Sequence, residues 1–276
     1  MSVGVHAVEN DAKVRIFSEI GAQPAGQREP RERLRQAIAK DELTLFCQPL
    51  VALVEESGYP MAEVLVRLRE EEKLLLPPGE FFPVFEHYGL MPELDRWVVH
   101  NVVQHISRGS RIPRFSINIS SQSLVDDAIP KAVALELVAA GVSGTALLFE
   151  IDEVDCLARL EAAQRFSRAI KTVGCGLMVD GFGRRSVSFS ALKALGVDFV
   201  KVDGSIVRNL LTSAKAEAKL RAIQTVGDAI GFTLIAEMVE DQDILARLKA
   251  LGVAYAQGFG ICQPHPMECV GRHIAP

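Results

Sequence analysis

Gly176-Leu177-Met178-Val179-Asp180-Gly181-Phe182-Gly183-Arg184-Arg185 runs from an apolar stretch into an aspartate, two glycines and two arginines. A short apolar run that ends this way reads as a buried strand feeding a tight turn, with Asp180 at the strand's C-terminal tip. In α/β proteins such tips carry the chemistry. The plainer reading makes Asp180 the cap of a helix starting near Ser186. The rest of the chain decides between them.

Runs of the same kind recur at 43–53, 61–68, 115–119, 146–151, 177–180, 199–202, 233–236 and 254–259, separated by helical patterns at 80–107, 124–140, 156–173, 188–195, 205–230 and 242–251. Gly141, Gly174, Gly196, Gly231 and Gly252 each follow a helical pattern and precede the next apolar run, as helix stops do. Eight strands with mostly intervening helices point to an α/β fold, a TIM-like (β/α)8 barrel. No G-x-G-x-x-G follows an early strand, which weighs against an open nucleotide-binding sheet. The first connection, VEESGYP at 54–60, is too short for a crossover helix. Strands one and two should therefore form a hairpin, giving one antiparallel strand near the N-terminus. Residues 1–30 are linker-like, with GAQPAGQ at 21–27; residues 31–270 make the barrel, entered by a short amphipathic helix (Leu34, Ala37, Ile38), and 271–276 are a tail.

Composition removes several classes of function. At 276 residues and 49% apolar the chain can bury a large core, and a net charge of -5 gives no footprint for a nucleic-acid polymer. Cys47, Cys156, Cys175, Cys262 and Cys269 are scattered and form no C-x-x-C pair, arguing against a disulfide framework or structural zinc and suiting a reducing cytoplasm. The N-terminal 17 residues contain no apolar h-region, and no run of about 18 apolar residues occurs, so neither a signal peptide nor a membrane span is expected.

The strand ends share a theme. Glu63 and Arg67 lie in the second run, Asn118 in the third, Glu150 and Glu153 in the fourth and Asp180 in the fifth. Lys201 and Asp203 close the sixth, Glu237 the seventh and Gln257 the eighth. Three carboxylates and an amide oxygen (Glu63, Asn118, Glu150, Asp180) suit a hard cation, Mg²⁺ or Mn²⁺, and the absence of histidine among them argues against zinc. Such a cation points to a phosphate ester, whose charge Lys201 and Arg67 can neutralise. Two rival readings are a Schiff-base Lys201, disfavoured because neighbouring carboxylates raise a lysine pKa, and a plug of mutually satisfied polar groups.

In motif order the chain resembles the EAL domain family, bacterial proteins that bind cyclic di-GMP and, when active, hydrolyse it to pGpG. The likeness spans about 31–267 and rests on CQPL at 47–50, EVLVR at 63–67, PPGEFFPVFE at 77–86, LDRWVV, SINIS, Glu150-x-x-Glu153, KVD, AEMVE and QGF. It implies a first metal on Glu63, Asn118, Glu150 and Asp180, and catalytic roles for Glu237, Lys201 and Asp180. By the same likeness Gln48, Arg67, Asp203 and Gln257 meet the ligand, Glu237 and Gln257 order a second metal and the attacking water, and Glu153 anchors the loop after the fifth strand. It further implies a bacterial cytoplasmic homodimer with a possible protein partner. Where active members carry two successive aspartates, this chain has Asp180-Gly181, and Arg184-Arg185 replaces a Thr-Gly pair. Glycine has no ligating side chain. Two functions follow: a metal-dependent cyclic di-GMP phosphodiesterase impaired by Gly181, or a degenerate cyclic di-GMP receptor or protein-interaction module.

Overall fold

The computed structural model describes residues 30–40, 42–54, 59–70, 74–76, 78–184 and 189–269. The linker at 1–29, Arg185, a helix start near Ser186 and the tail at 271–276 therefore lie outside the described residues. The strands are β1 Leu43–Ala52, β2 Met61–Glu70, β3 Leu74–Leu76, β4 Phe115–Asn118, β5 Leu147–Asp152, β6 Gly176–Phe182, β7 Phe199–Val202, β8 Thr233–Ala236, β9 Tyr255–Ala256 and β10 His265–Pro266. Eight of them close a barrel in the order β1-β2-β4-β5-β6-β7-β8-β9, and β9 pairs back onto β1. β2 and β4 to β9 run parallel, whereas β1 is antiparallel to both neighbours. The short connection between β1 and β2 thus produces the one reversed strand that its length predicts. The structure adds β3, lying on the far end of β2, and β10, paired to Phe46 and Cys47 of β1.

The helices are α1 Pro30–Ala39, α2 Pro78–His87, α3 Met91–Ser107, α4 Ser121–Leu124, α5 Ala128–Ala140, α6 Glu153–Ala158, α7 Leu160–Thr172, α8 Phe189–Leu195, α9 Gly204–Val207, α10 Ala214–Ile230 and α11 Gln242–Ala250. Four long helical patterns in the sequence are each split in two. Gly89, at φ +67°, ends α2, and Pro92 then sits in the first turn of α3, where its missing N–H costs nothing. Elsewhere Asp126 accepts from Ala128 N and Ser213 from Ala216 N where the helix restarts, whereas the break between α6 and α7 falls at Arg159, which leaves helical geometry at φ -135° without a side-chain cap. Periodicity cannot see these breaks because the apolar face continues across them.

Burial falls into two layers. A large cluster packs the outward faces of the strands against the helices; Phe149 and Phe166, for example, meet edge to face at 5.7 Å. A second, separate cluster, Leu50, Met61, Leu148, Met178, Phe199 and Ile235 with Tyr255 against it, fills the barrel's interior. Side chains on a strand alternate between faces, so the residue two positions nearer the C-terminal mouth also points inward. Those residues are Glu63, Glu150, Asp180, Lys201, Glu237 and Gln257, and Gln48 on the reversed β1. An apolar floor therefore lies under a polar layer.

The loop after β9 is fixed by close backbone approach. Gln257 N donates to Ala236 O at 2.8 Å and accepts through its carbonyl from Val239 N at 3.0 Å. A Cβ on Gly258 would run into the Val239 main chain. Gly258→Ala should therefore lower stability by about 1–3 kcal/mol, read as a fall in the thermal midpoint. An unchanged midpoint would show that this loop does not hold its position through that contact.

Candidate active site

The Lys201 ammonium is buried at the centre of the polar layer. It lies 2.8 Å from Glu63 Oε2, 3.0 Å from Glu150 Oε2 and 3.5 Å from Asp180 Oδ1. Glu63 also accepts from Asn118 Nδ2 at 3.0 Å and from Gln257 Nε2 at 2.8 Å. The same Gln257 nitrogen lies 3.2 Å from Gln48 Oε1, and Gln48 Nε2 donates to the Cys262 carbonyl at 2.9 Å. Gln48 and Glu63 face each other in the register of β1 and β2. Seven of the sequence candidates, on seven strands or their ends, thus form one connected network.

The remaining candidates surround it. Glu237 accepts from Gly204 N at 2.9 Å, at the start of α9. Asp203 caps α9 by accepting from Ser205 N at 3.0 Å and takes a second bond from Arg184 Nε at 3.0 Å. Arg67 lies further along β2, its guanidinium 5.7 Å from the Phe46 ring and donating to the Val66 carbonyl, and no described residue joins it to the central network by a hydrogen bond. Glu153 is buried behind the loop after β6 and accepts from Gly183 N at 3.0 Å. Lys219 donates to the carbonyl of the same glycine.

Three carboxylates around one ammonium cannot all ionise at equal cost. Burial opposes ionisation of Glu63, yet the Lys201 charge and the bonds from Asn118 and Gln257 outweigh it and hold its pKa below the usual range. Glu150 is pushed up to about 8 by burial, only partly offset by Lys201 and worsened by Glu63 and Asp180. Glu237 rises to about 7 through burial and the Asp180 charge. Lys201 stays charged: burial works against it, and Asp180, Glu150, Glu63 and Glu237 together raise it well above its ordinary value.

Glu63, Glu150, Asp180 and the Asn118 amide oxygen form an all-oxygen donor set. Glu150 Oε1 and Asp180 Oδ1 are buried without a hydrogen-bond partner. Glu150 Oε1, together with an Asp180 Oδ1 held only by the ion pair to Lys201 and an amide oxygen beside them, fits a hard divalent cation. The carboxylates now face Lys201, and among the described residues no three His, Cys, Asp or Glu side chains already surround a common ion position. A cleft of about 280 Å³ opens beside Asn118, walled by Leu65, Phe82, Met91 and Ile119 with Glu86 and Asp95 on its lining.

Sequence reading missed Asp95. It is 4% exposed and accepts from Ser120 N at 3.1 Å and Ser120 Oγ at 2.7 Å, fixing the turn directly after Asn118. Its signal was available: it interrupts the buried face of α3 made by Met91, Leu94, Val98, Val99 and Val102. Arg184, which the sequence leaves either as a solvated loop charge or as a contact for a phosphate or an acidic partner, lies 3.0 Å from Asp203 Oδ2 and 3.8 Å from Asp152 Oδ2.

The Glu150 pKa fixes a sign for stability. A carboxylate whose folded pKa lies above its unfolded value of about 4.3 binds more protons folded than unfolded between the two, so stability falls as pH rises through that window. In chelator-treated protein, stability should fall between about pH 5 and about pH 8, with Glu237 adding to the effect near 7. His105, lowered by burial, works in the opposite direction, so Glu150→Gln is the control: denaturant titrations across pH should show a flatter profile in the variant. Equal slopes for both proteins would contradict the assignment.

The EAL domain model matches residues 31–264. The chain is 33% identical over 238 residues to the cyclic di-GMP phosphodiesterase PdeB of Shewanella oneidensis, covering 85% of this chain and 28% of that protein. It is 29% identical to the cyclic di-GMP phosphodiesterase PdeF of Escherichia coli K12, covering 88% and 33%. The chain thus spans about a third of the length of these curated relatives or less. Among solved structures it superposes on the FimX EAL domain from Pseudomonas aeruginosa bound to c-di-GMP with a TM-score of 0.79 and 29% identity, covering 84% of this chain and 94% of that one. The PaMucR phosphodiesterase in its c-di-GMP complex gives 0.79 at 25% identity, covering 86% and 97%. A barrel with one reversed strand, a polar layer above an apolar floor and a match over nearly its whole length place this chain in the EAL domain family.

Proposed function

We propose that the barrel mouth binds cyclic di-GMP and, with a divalent cation, hydrolyses one of its phosphodiester bonds to give pGpG. The observation that carries this reading is the buried cluster of Glu63, Glu150 and Asp180 carboxylates around the Lys201 ammonium and beside Asn118, with Glu150 Oε1 left without a hydrogen-bond partner. Glu63, Asn118, Glu150 and Asp180 would hold Mg²⁺ or Mn²⁺, and a cation bound there supplies Lewis acidity to the phosphate and lowers the pKa of water.

The chain's own groups have separable roles. Lys201 keeps a positive charge at the site and neutralises developing negative charge on phosphate oxygens. Glu237, with one oxygen pinned by Gly204 N–H, has the other free of protein hydrogen bonds among the described residues and accepts the proton of the attacking water. Gln48 and Gln257 brace Glu63 and offer amide groups to the ligand, and Arg67 and Asp203 stand at the rim for phosphate and base. The apolar cleft beside Asn118 suits a purine ring, and the Glu86 carboxylate on its lining suits the N–H donors of guanine.

A second reading is favoured by Gly181. At φ +65° and without a side chain it offers no ligand for a further ion, and the position of its would-be Cβ is taken by Arg184 Nη2. Each ~1.4 kcal/mol of lost transition-state stabilisation lowers the rate tenfold, so the same site can retain ligand while turning over slowly. That would make the chain a receptor whose occupancy is read by a partner.

Incubation with cyclic di-GMP and Mn²⁺ should yield pGpG, and Glu237→Gln should lower kcat by about 10²–10⁴-fold while leaving nucleotide binding measurable. Glu63→Ala should remove turnover. No pGpG above the Glu63→Ala level, together with saturable binding by calorimetry, would transfer the conclusion to the receptor reading. Absence of binding as well would remove both.

A further inference from the structure

The described rim carries more acid than base. Asp152 and Asp203 cap helices at the mouth beside the Glu63–Glu150–Asp180–Glu237 layer, and a ligand with two phosphodiesters brings two more negative charges. The Lys201 charge is already shared among three carboxylates before a phosphate arrives, and Arg67 lies on the β2 side. On the β6–β7 side Lys219 is turned to the Gly183 carbonyl, while Arg184 is, among the described residues, a half-exposed cation at the mouth.

Its geometry is that of a held group with donors to spare. Nε donates to Asp203 Oδ2 at 3.0 Å, and that carboxylate is itself fixed by Ser205 N. Nη2 lies over Gly181 and 3.8 Å from Asp152 Oδ2, beyond hydrogen-bonding distance. The loop beneath is pinned on both sides of Gly183, by Glu153 on its N–H and Lys219 on its carbonyl. A side chain at position 181 would displace the guanidinium, so the glycine and the arginine belong together. A guanidinium anchored through Nε presents its two terminal nitrogens as a fork, the arrangement that grips a phosphate.

We propose that Arg184 is a phosphate-binding cation of the ligand site, standing over Gly181 where a second divalent ion would otherwise be required. The inference rests on the reading of the mouth as a cyclic di-GMP site. It makes the Gly181-Arg184 pair a replacement of one cation by another rather than a simple loss. Asp203 then acts as the positioning residue that aims the fork.

Calorimetry of the full chain with cyclic di-GMP in EDTA is the test. A charge-assisted hydrogen bond of ~1.5–3 kcal/mol corresponds to roughly a 10- to 100-fold change in Kd. Arg184→Ala should weaken binding by about that factor, Arg184→Lys by less, and Arg185→Ala, which changes net charge equally, by much less than Arg184→Ala. In a nucleotide-free Mn²⁺ titration followed by electron paramagnetic resonance, the wild type should take one ion per chain, and the Gly181→Asp/Arg184→Ala double variant two. Equal losses from Arg184→Ala and Arg185→Ala, no loss from Arg184→Ala, or two ions in the wild type would each overturn the proposal while leaving nucleotide recognition standing. No binding by the wild type would overturn both.

Discussion

One buried ammonium organises the mouth of this barrel. Lys201 stands on β7 among Glu63 of β2, Glu150 of β5 and Asp180 of β6, so strands far apart in sequence are tied to a single charge. Removing one partner from a buried ion pair costs about 3–5 kcal/mol, because the remaining charge is left without compensation. The carboxylates therefore need a cation, and the identity of that cation decides what the site can do. With Lys201 alone, Glu63 ionises and Glu150 keeps its proton near neutrality. A divalent ion on the same oxygens would release Glu150 to ionise, coupling metal affinity to pH.

The scaffold separates stability from chemistry by one step of strand alternation. The inward residues of the floor, such as Met61, Leu148, Met178 and Phe199, are apolar and close the barrel from below. Two residues further along each strand the inward positions are polar, and they satisfy one another across the mouth through Lys201, Asn118 and Gln257. The helix caps at Asp152 and Asp203 lie at the same mouth, and each does two jobs: it starts a helix and offers its second oxygen to Arg184.

Much of this was legible in the sequence. The apolar runs at 199–202 and 233–236 match β7 and β8 residue for residue, because they are short, β-branched and bounded by turn signals. The hairpin was readable from connection length alone, and the gathering of polar side chains at one mouth from their recurrence at strand ends. The helix breaks at Gly89, Asp126, Arg159 and Ser213 were hidden, since a local turn interrupts hydrogen bonding without interrupting the apolar stripe. β10 was unreadable for a different reason: two residues carry no period, and their pairing to β1 is fixed by closure of the barrel. Asp95 and the Arg184–Asp203 pair depend on contacts 25 and 19 residues apart in sequence, which spacing does not reveal.

The central claim is that the oxygens of Glu63, Asn118, Glu150 and Asp180 hold a divalent ion against a phosphate of cyclic di-GMP. Anomalous scattering from crystals grown with Mn²⁺ and cyclic di-GMP tests it directly. The account predicts an anomalous peak among those four side chains, with a nucleotide phosphate beside it and beside Lys201. A manganese peak elsewhere, or a nucleotide bound outside the barrel mouth, would contradict it.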